Sequence, residues 1–318
     1  MRFLTFLLAA TMLAGCSETA DRTSTGTPGE LPPGAQALSL LGDTLYPPEL
    51  PPEVRADHEA RLAQATADYE ADPDDADAII WYGRRAAYLG DYLKAIAIFG
   101  EGIEKHPGDA RMYRHRGHRH ITTRQLNAAI LDLQTAAHLV AGTEDQVEPD
   151  GLPNALGIPT STLQSNIWYH LGLAYYLKGD FENALSTYRE CMQVSTNPDM
   201  QVATSHWLYM TLRRLGSEDE AAMVLALIDA DMEIIENDGY HRLLLMYKGE
   251  LPLESLLADV EGDDGVQNAT LGYGIGNWHA YNGRPKQAEA VFRNILRGPQ
   301  WAAFGYIAAE ADLERMGR

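Results

Sequence analysis

Residues 165–188 read SNIWYHLGLAYYLKGDFENALSTY, two apolar stretches of helical spacing that meet at Gly179-Asp180-Phe181. Glycine there stops the first stretch and the following Asp-Phe starts the second. Small residues at Gly172 and Ala184 and a bulky one at Tyr188 mark where two helices would cross closely. The same trio stands upstream as Gly83, Ala95 and Phe99, and 34 residues later as Gly117, Ala129 and Leu133. It returns after a further 55 residues, which is 34 plus an insertion of 21. A constant period of this length is the signature of stacked helix-turn-helix units, each burying its apolar face against the next.

Units 76–109, 110–143 and 165–198 resemble the tetratricopeptide repeat, the last most fully through Trp168, Leu171, Gly172, Tyr175, Gly179-Asp180-Phe181, Ala184 and Tyr188. Weaker units follow. Residues 202–235 keep Gly216, Ala221 and Leu225 but carry Tyr209 where glycine is expected. A shorter pair turns at Lys248-Gly249, and 269–299 keeps Gly276, Gly283, Ala288 and Phe292. Trp301 to Met316 reads as a C-terminal capping helix. The expectation is an all-α tetratricopeptide-repeat solenoid over residues 76–318, with an inserted loop at 142–164 and an N-terminal helix at 53–75.

Upstream of the helices, Leu13-Ala14-Gly15-Cys16 closes an uncharged apolar run from Phe3. That run is shorter than the roughly 20 residues of a spanning helix. It resembles a bacterial lipoprotein signal ending in a lipobox, with 1–15 as signal peptide and Cys16 as the lipidated residue. The resemblance implies a cell-envelope protein anchored by its N-terminal lipid and facing the periplasm, and Ser17 after the cysteine implies the outer membrane. Residues 16–52, with Pro-Pro pairs at 32/33, 47/48 and 51/52, read as a flexible, disordered tether. Lipobox, repeats, an irregular pair before the final repeat and a closing helix together resemble the NlpI type of outer-membrane repeat lipoprotein, including Trp207-Leu208-Tyr209 followed by Tyr247-Lys248-Gly249. That type implies an adaptor for periplasmic proteases and cell-wall hydrolases. The 142–164 insertion and the Arg/His-rich second unit depart from it.

The chain has 318 residues, 45% of them hydrophobic, and a formal charge of -20. So acidic a protein is unsuited to nucleic acid. Of its two cysteines Cys16 is committed to lipid, so Cys191 has no intramolecular partner and no disulfide is expected.

In such repeats the first helix of each unit lines a concave groove, and the resemblance places Arg111, Arg114, His115 and His118 there from the second unit. Trp81, Arg84 and Tyr88 join from the first, Asn166, Tyr169, His170 and Tyr176 from the third, and His206, Trp207 and Arg213 lie further along. A basic, aromatic surface suits a carboxylate, either a peptide C-terminus or an acidic side chain. The alternative is that these arginines pair with the protein's own acids, although Asp77 is almost the only acid at neighbouring groove positions. Arg116 falls at the helix crossing and calls for an internal partner, Asp132 or Glu101. Arg114, Arg116 and Arg119 interleave with His115, His118 and His120 and would repel a cation, so neither metal nor cofactor is expected. No catalytic motif is present, and an enzyme is not expected.

The insertion, long for a loop in a compact array, is placed to fold over the groove. Three readings are separable by geometry. A lipid-anchored adaptor for protein partners requires an open groove. A binding protein for a small anionic ligand such as a cell-wall fragment requires a closed pocket capped by the insertion. An enzyme requires a carboxylate beside the Arg/His cluster.

Overall fold

The computed structural model describes residues 31–260 and 265–317. The signal at 1–15 and Cys16 lie outside the described residues. Fourteen α-helices and one short hairpin make up the described fold. The hairpin pairs β1 (Ala37–Leu38) antiparallel with β2 (Thr44–Leu45), Ala37 opposite Leu45. Helix α1 (Pro52–Ala71) leads into three paired units: α2 (Ala76–Tyr88) with α3 (Tyr92–Lys105), α4 (Ala110–Thr122) with α5 (Leu126–Leu139), and α6 (Leu163–Lys178) with α7 (Phe181–Val194). The pair α8 (Pro198–Arg214) and α9 (Glu218–Leu225) follows, then α10 (Asp238–Lys248) and α11 (Glu254–Val260). The last pair is α12 (Gly265–Tyr281) with α13 (Pro285–Ile295), and α14 (Phe304–Arg315) ends the array. No described helix is long and apolar enough to cross a membrane.

The periodic small residues do the work expected of them. A Cβ on Gly172 would fall 2.7 Å from the Tyr188 ring, and one on Gly83 2.5 Å from the Phe99 ring, so an aromatic ring of the second helix seats directly on the backbone of the first. Helix α6 ends at Gly179 with φ 79°, and the pair α10/α11 turns at Gly249 with φ 82°. Between α4 and α5 the same slot holds Arg124 at φ 62°, the one left-handed non-glycine residue among those described. A side chain there costs backbone strain. Its guanidinium donates through Nε and Nη2 to Glu310 of α14 at 2.9 and 2.8 Å.

Helix α14 departs from the expected end cap. It packs on α12, α13 and α6, so it lies along the first helices of the units rather than only beyond the last one. Ile307, Ala308, Ala309, Ala311 and Leu313 are fully buried. Glu310 and Asp312, each 1% exposed, are anchored by Arg124 and by Arg214 with Arg315. The main core runs from Tyr169, Tyr176 and Tyr188 through Trp207 to Tyr273, Phe292 and these α14 aliphatics. Cys191 is a buried free thiol within it, pushed up to about 11 by burial.

The tether expected over 16–52 requires correction in its described part. Ala35, Ala37, Ser39 and Leu45 are buried. Gln36 Oε1 accepts from the Leu93 N–H at 3.0 Å, the Leu40 N–H donates to Glu310 at 3.3 Å, and Trp301 Nε1 donates to the Tyr46 carbonyl at 2.7 Å. Pro47 and Pro48 rest against Gly90 at the α2/α3 turn. A proline-rich composition suits an extended segment, and here that segment finds apolar partners and hydrogen bonds on the array.

Candidate functional site

Helices α2, α4 and α6 present side by side the residues expected of the groove, and the insertion covers them. Its entry and exit pair through a bridge between Val147 and Thr162, and Thr162 with Ser165 forms a capping box that starts α6. From that neck Glu148 points inward. Its Oε2 lies 2.9 Å from Arg114 Nε and accepts from Asn166 Nδ2 at 3.2 Å, while Oε1 stands 3.8 Å from His115 Nε2. Both side chains of the Arg114–Glu148 pair are 9% exposed. Arg84 Nη1 donates to the Pro149 carbonyl at 2.8 Å and Arg85 Nη1 to the Gly151 carbonyl at 2.9 Å. A Cβ on Gly151 would meet the Tyr88 hydroxyl and the Arg84 guanidinium, so a side chain here requires both to shift. Trp81 lies beneath both guanidinium groups, 4.4 Å from Arg84 and 4.7 Å from Arg85.

The protonation states follow from this arrangement. Arg114 Nη1 stands 3.0 Å from His115 Nδ1, and an arginine can only donate, so His115 is neutral with its proton on Nε2. Burial, and after it the Arg114 charge, holds His115 well below the usual histidine range. The same two causes act on His170, and burial with Arg119 acts on His118. The His118 and His170 rings are 4.4 Å apart, a contact that neutral imidazoles tolerate, and Phe304 of α14 closes against both. Among the described residues no three His, Cys, Asp or Glu side chains gather as a metal-ligand set.

Eight expected residues therefore converge: Trp81, Arg84, Tyr88, Arg114, His115, His118, Asn166 and His170. Three do not. Arg111 lines the larger of two cavities beneath the insertion, but its guanidinium is already bonded to Asp109, which also caps α4, and to Asp77 at 2.6 Å. Tyr169 accepts from Trp207 Nε1 at 2.7 Å and donates to Tyr240 at 3.1 Å, inside the core. Tyr176 is fully buried, 2.8 Å from the Tyr273 hydroxyl. His206 and Trp207 are likewise buried. Arg116 is bidentate to Asp132 at 2.8 and 2.7 Å, the internal partner expected of it.

The concave face also holds groups that the sequence reading missed: Glu148, Arg85, Arg119 and Phe304. Glu148 lay within a segment expected to reach the groove, as the acid just before Pro149. Arg119 lies one turn beyond His115 on α4, outside the repeat positions counted as groove-lining. Two cavities of about 170 and 130 Å³ remain under the insertion, both lined by Arg84, His115 and Glu148.

The tetratricopeptide repeat family matches residues 165–198. No curated protein matches the chain. Among solved structures, MamA is similar at 18% identity and TM-score 0.42, over 54% of this chain and 86% of that one. YrrB, described as a TPR protein with an unusual peptide-binding site, is similar at 16% identity and TM-score 0.39, over 78% of this chain and 97% of that one. A tetratricopeptide repeat protein from Parabacteroides merdae is similar at 13% identity and TM-score 0.47, over 81% and 93%. The chain carries a tetratricopeptide repeat at residues 165–198 and is an all-α, TPR-like helical repeat array.

Proposed function

We propose that the chain is a non-enzymatic adaptor, anchored to the cell envelope through acylated Cys16, that engages acidic peptide segments of periplasmic proteins on its concave face. The observation that carries this reading is the seat of residues 148–151. Two arginines take backbone carbonyls, a third with Asn166 takes a carboxylate, and a glycine passes under a tyrosine. These are the contacts an extended acidic peptide would make, and the chain supplies such a peptide to itself. The insertion thereby closes the groove instead of leaving it open, so the reading requires a partner to displace residues 148–151. A partner ending in a carboxylate, or carrying an acidic side chain, competes for that seat by the same chemistry. Glu148 is the carboxylate that an enzyme would need beside the cluster. It is held by Arg114 and Asn166, with no nucleophile among those contacts, which favours recognition over catalysis.

The test is binding of a fluorescent acidic peptide to the full-length protein and to Glu148→Gln, which weakens the internal competitor. Affinity should rise at least about tenfold in the variant, an electrostatic competitor being worth about 1.4 kcal/mol or more, and should fall as salt is added. Equal, salt-independent affinity in both proteins overturns the reading. The anchor is tested separately: Cys16→Ser should lose acylation and tight membrane association, and unchanged acylation refutes it.

A further inference from the structure

The smaller cavity has a charge imbalance that the acidic-peptide reading does not use. Arg84, Arg114 and Arg119 line it together with Ala87, Tyr88, Phe99, His115 and His118, and Glu148 is its one carboxylate. Arg114 takes that carboxylate. Arg84 is bonded to a carbonyl and lies over Trp81, and Arg119 stands 5.6 Å from the centre of the Tyr92 ring. Neither has a carboxylate partner among the described residues, in a chain with 45 acidic side chains. The three histidines at the site, His115, His118 and His170, are held neutral by burial and by these same arginines. Three positive charges and one negative one leave an excess of two in a recess of about 130 Å³. Low-dielectric walls concentrate that excess. A desolvated cation without a counter-ion is costly, and the cost is removed when an anion enters.

We propose that this cavity is a binding site for a small dianionic oxyanion of the size of inorganic phosphate or a short dicarboxylate, gripped by Arg119 and Arg84 beside the Arg114–Glu148 pair. Guanidinium groups present paired N–H donors to such an oxyanion, and the neutral histidines add a donor or acceptor without adding charge. The site shares Arg84 and the Arg114–Glu148 pair with the peptide seat and differs from it by Arg119 and by lying beneath the closed insertion, so it is complete only while residues 148–151 stay seated.

The test uses the full-length protein at low ionic strength with inorganic phosphate, succinate and acetate as probes, and sodium chloride matched for ionic strength as control. Titration calorimetry and thermal melting read the result. Phosphate or succinate should bind one to one and raise the melting temperature, acetate should bind at least tenfold more weakly, and whichever dianion binds tells a tetrahedral ligand from a dicarboxylate. Arg119→Gln should weaken dianion binding at least tenfold, and Arg119→Lys should restore part of it. Without anion, Arg119→Gln should melt at or above the wild-type temperature, because an uncompensated cation has been removed. Absence of binding by both dianions overturns the proposal, as does unchanged binding in Arg119→Gln or a marked loss of its stability in anion-free buffer. Any of these failures leaves the peptide reading intact, since that rests on Glu148 and is measured with peptide.

Discussion

Two segments of the chain lie against the first helices of the repeats, and they are held in opposite ways. Helix α14 is buried continuously from Ile307 to Leu313: five aliphatic or alanine side chains are fully buried, and Glu310 and Asp312 are each 1% exposed against arginines. The insertion is held by polar contacts, at its inner edge and through Asn154 and Thr160 to Glu236 and Asn197, while Val147, Leu152, Leu156 and Ile158 face outward at 49 to 67% exposure. Both use an acid on an arginine. What differs is whether water can reach that arginine when the acid leaves. Around Arg124 and Glu310, 3% and 1% exposed, the repeats close and rehydration requires global unfolding, whereas beneath the insertion a local opening is enough. The comparison teaches that α14 is part of the fold and the insertion is an exchangeable occupant.

The largest effect should come from the helix. Asp312 accepts from Arg214 at 2.5 Å and Arg315 at 2.7 Å and lies 2.9 Å from the Tyr273 hydroxyl. Asp312→Ala leaves the mostly buried Arg214 without its carboxylate, and stability measured by urea denaturation should fall by about 3 kcal/mol. A loss of about 1.4 kcal/mol or less would mean that α14 can open as the insertion does.

Acid should separate the two regions next. His206 is buried between Trp207 and Tyr240, and burial alone lowers it to about 3. Its folded value lies below its unfolded one, so its contribution to stability is complete above about pH 6.5. As pH falls from there toward 3, the unfolded chain takes up a proton that the native state refuses, at a cost of up to about 1.4 kcal/mol per pH unit. His206→Gln should flatten that acid limb in a pH series of denaturation curves, and an unchanged limb would contradict the assignment. His115, His118 and His170 are lowered in the same sense with arginine charge as a further cause, so added salt should raise their titration in NMR while His206 stays put.

A smaller change is expected at the insertion. Glu148→Gln should cost about 1.4 kcal/mol of global stability, the same free energy that a tenfold gain in peptide affinity reads, because Arg114 regains water by local opening. Amide exchange should accelerate over residues 145–162 and remain slow in α14. Exchange that speeds up equally in both would dissolve the distinction.

This contrast shows what the sequence could and could not convey. The period of 34 carried the paired helices, because the Gly172–Tyr188 contact is built from residues one turn-helix unit apart. Arg116 was legible as an internally paired residue because its repeat position faces a helix crossing. The closing of the groove was not legible from any single repeat. It depends on Glu148 reaching Arg114 from another unit, and on Arg124 meeting Glu310 across 186 residues. One sign did exist: Arg124 occupies the slot filled by Gly90 and Gly179 in neighbouring units, and a side chain kept in a left-handed position signals a distant partner. The proline-rich stretch misled for a related reason, since Trp301 and Glu310, which receive it, lie at the far end of the chain.

The smallest effect is expected at Arg111, where the repeat positions alone suggested a principal ligand contact. Its guanidinium already bonds Asp109 through Nε and Nη2 and Asp77 through Nη1, and it stays about one-third exposed. It lies outside the seat of residues 148–151, which is formed by Arg84, Arg85, Arg114 and Asn166. Arg111→Ala should therefore cost no more than about 1 kcal/mol, as for other surface ion pairs. In a Glu148→Gln background, where the seat is available, acidic-peptide affinity should stay within about twofold of the parent. Arg114→Gln in that background should abolish binding, since it removes the guanidinium that takes the carboxylate. Equal losses from the two arginine variants would extend the seat to Arg111 and make the insertion a cover over only part of a longer peptide groove.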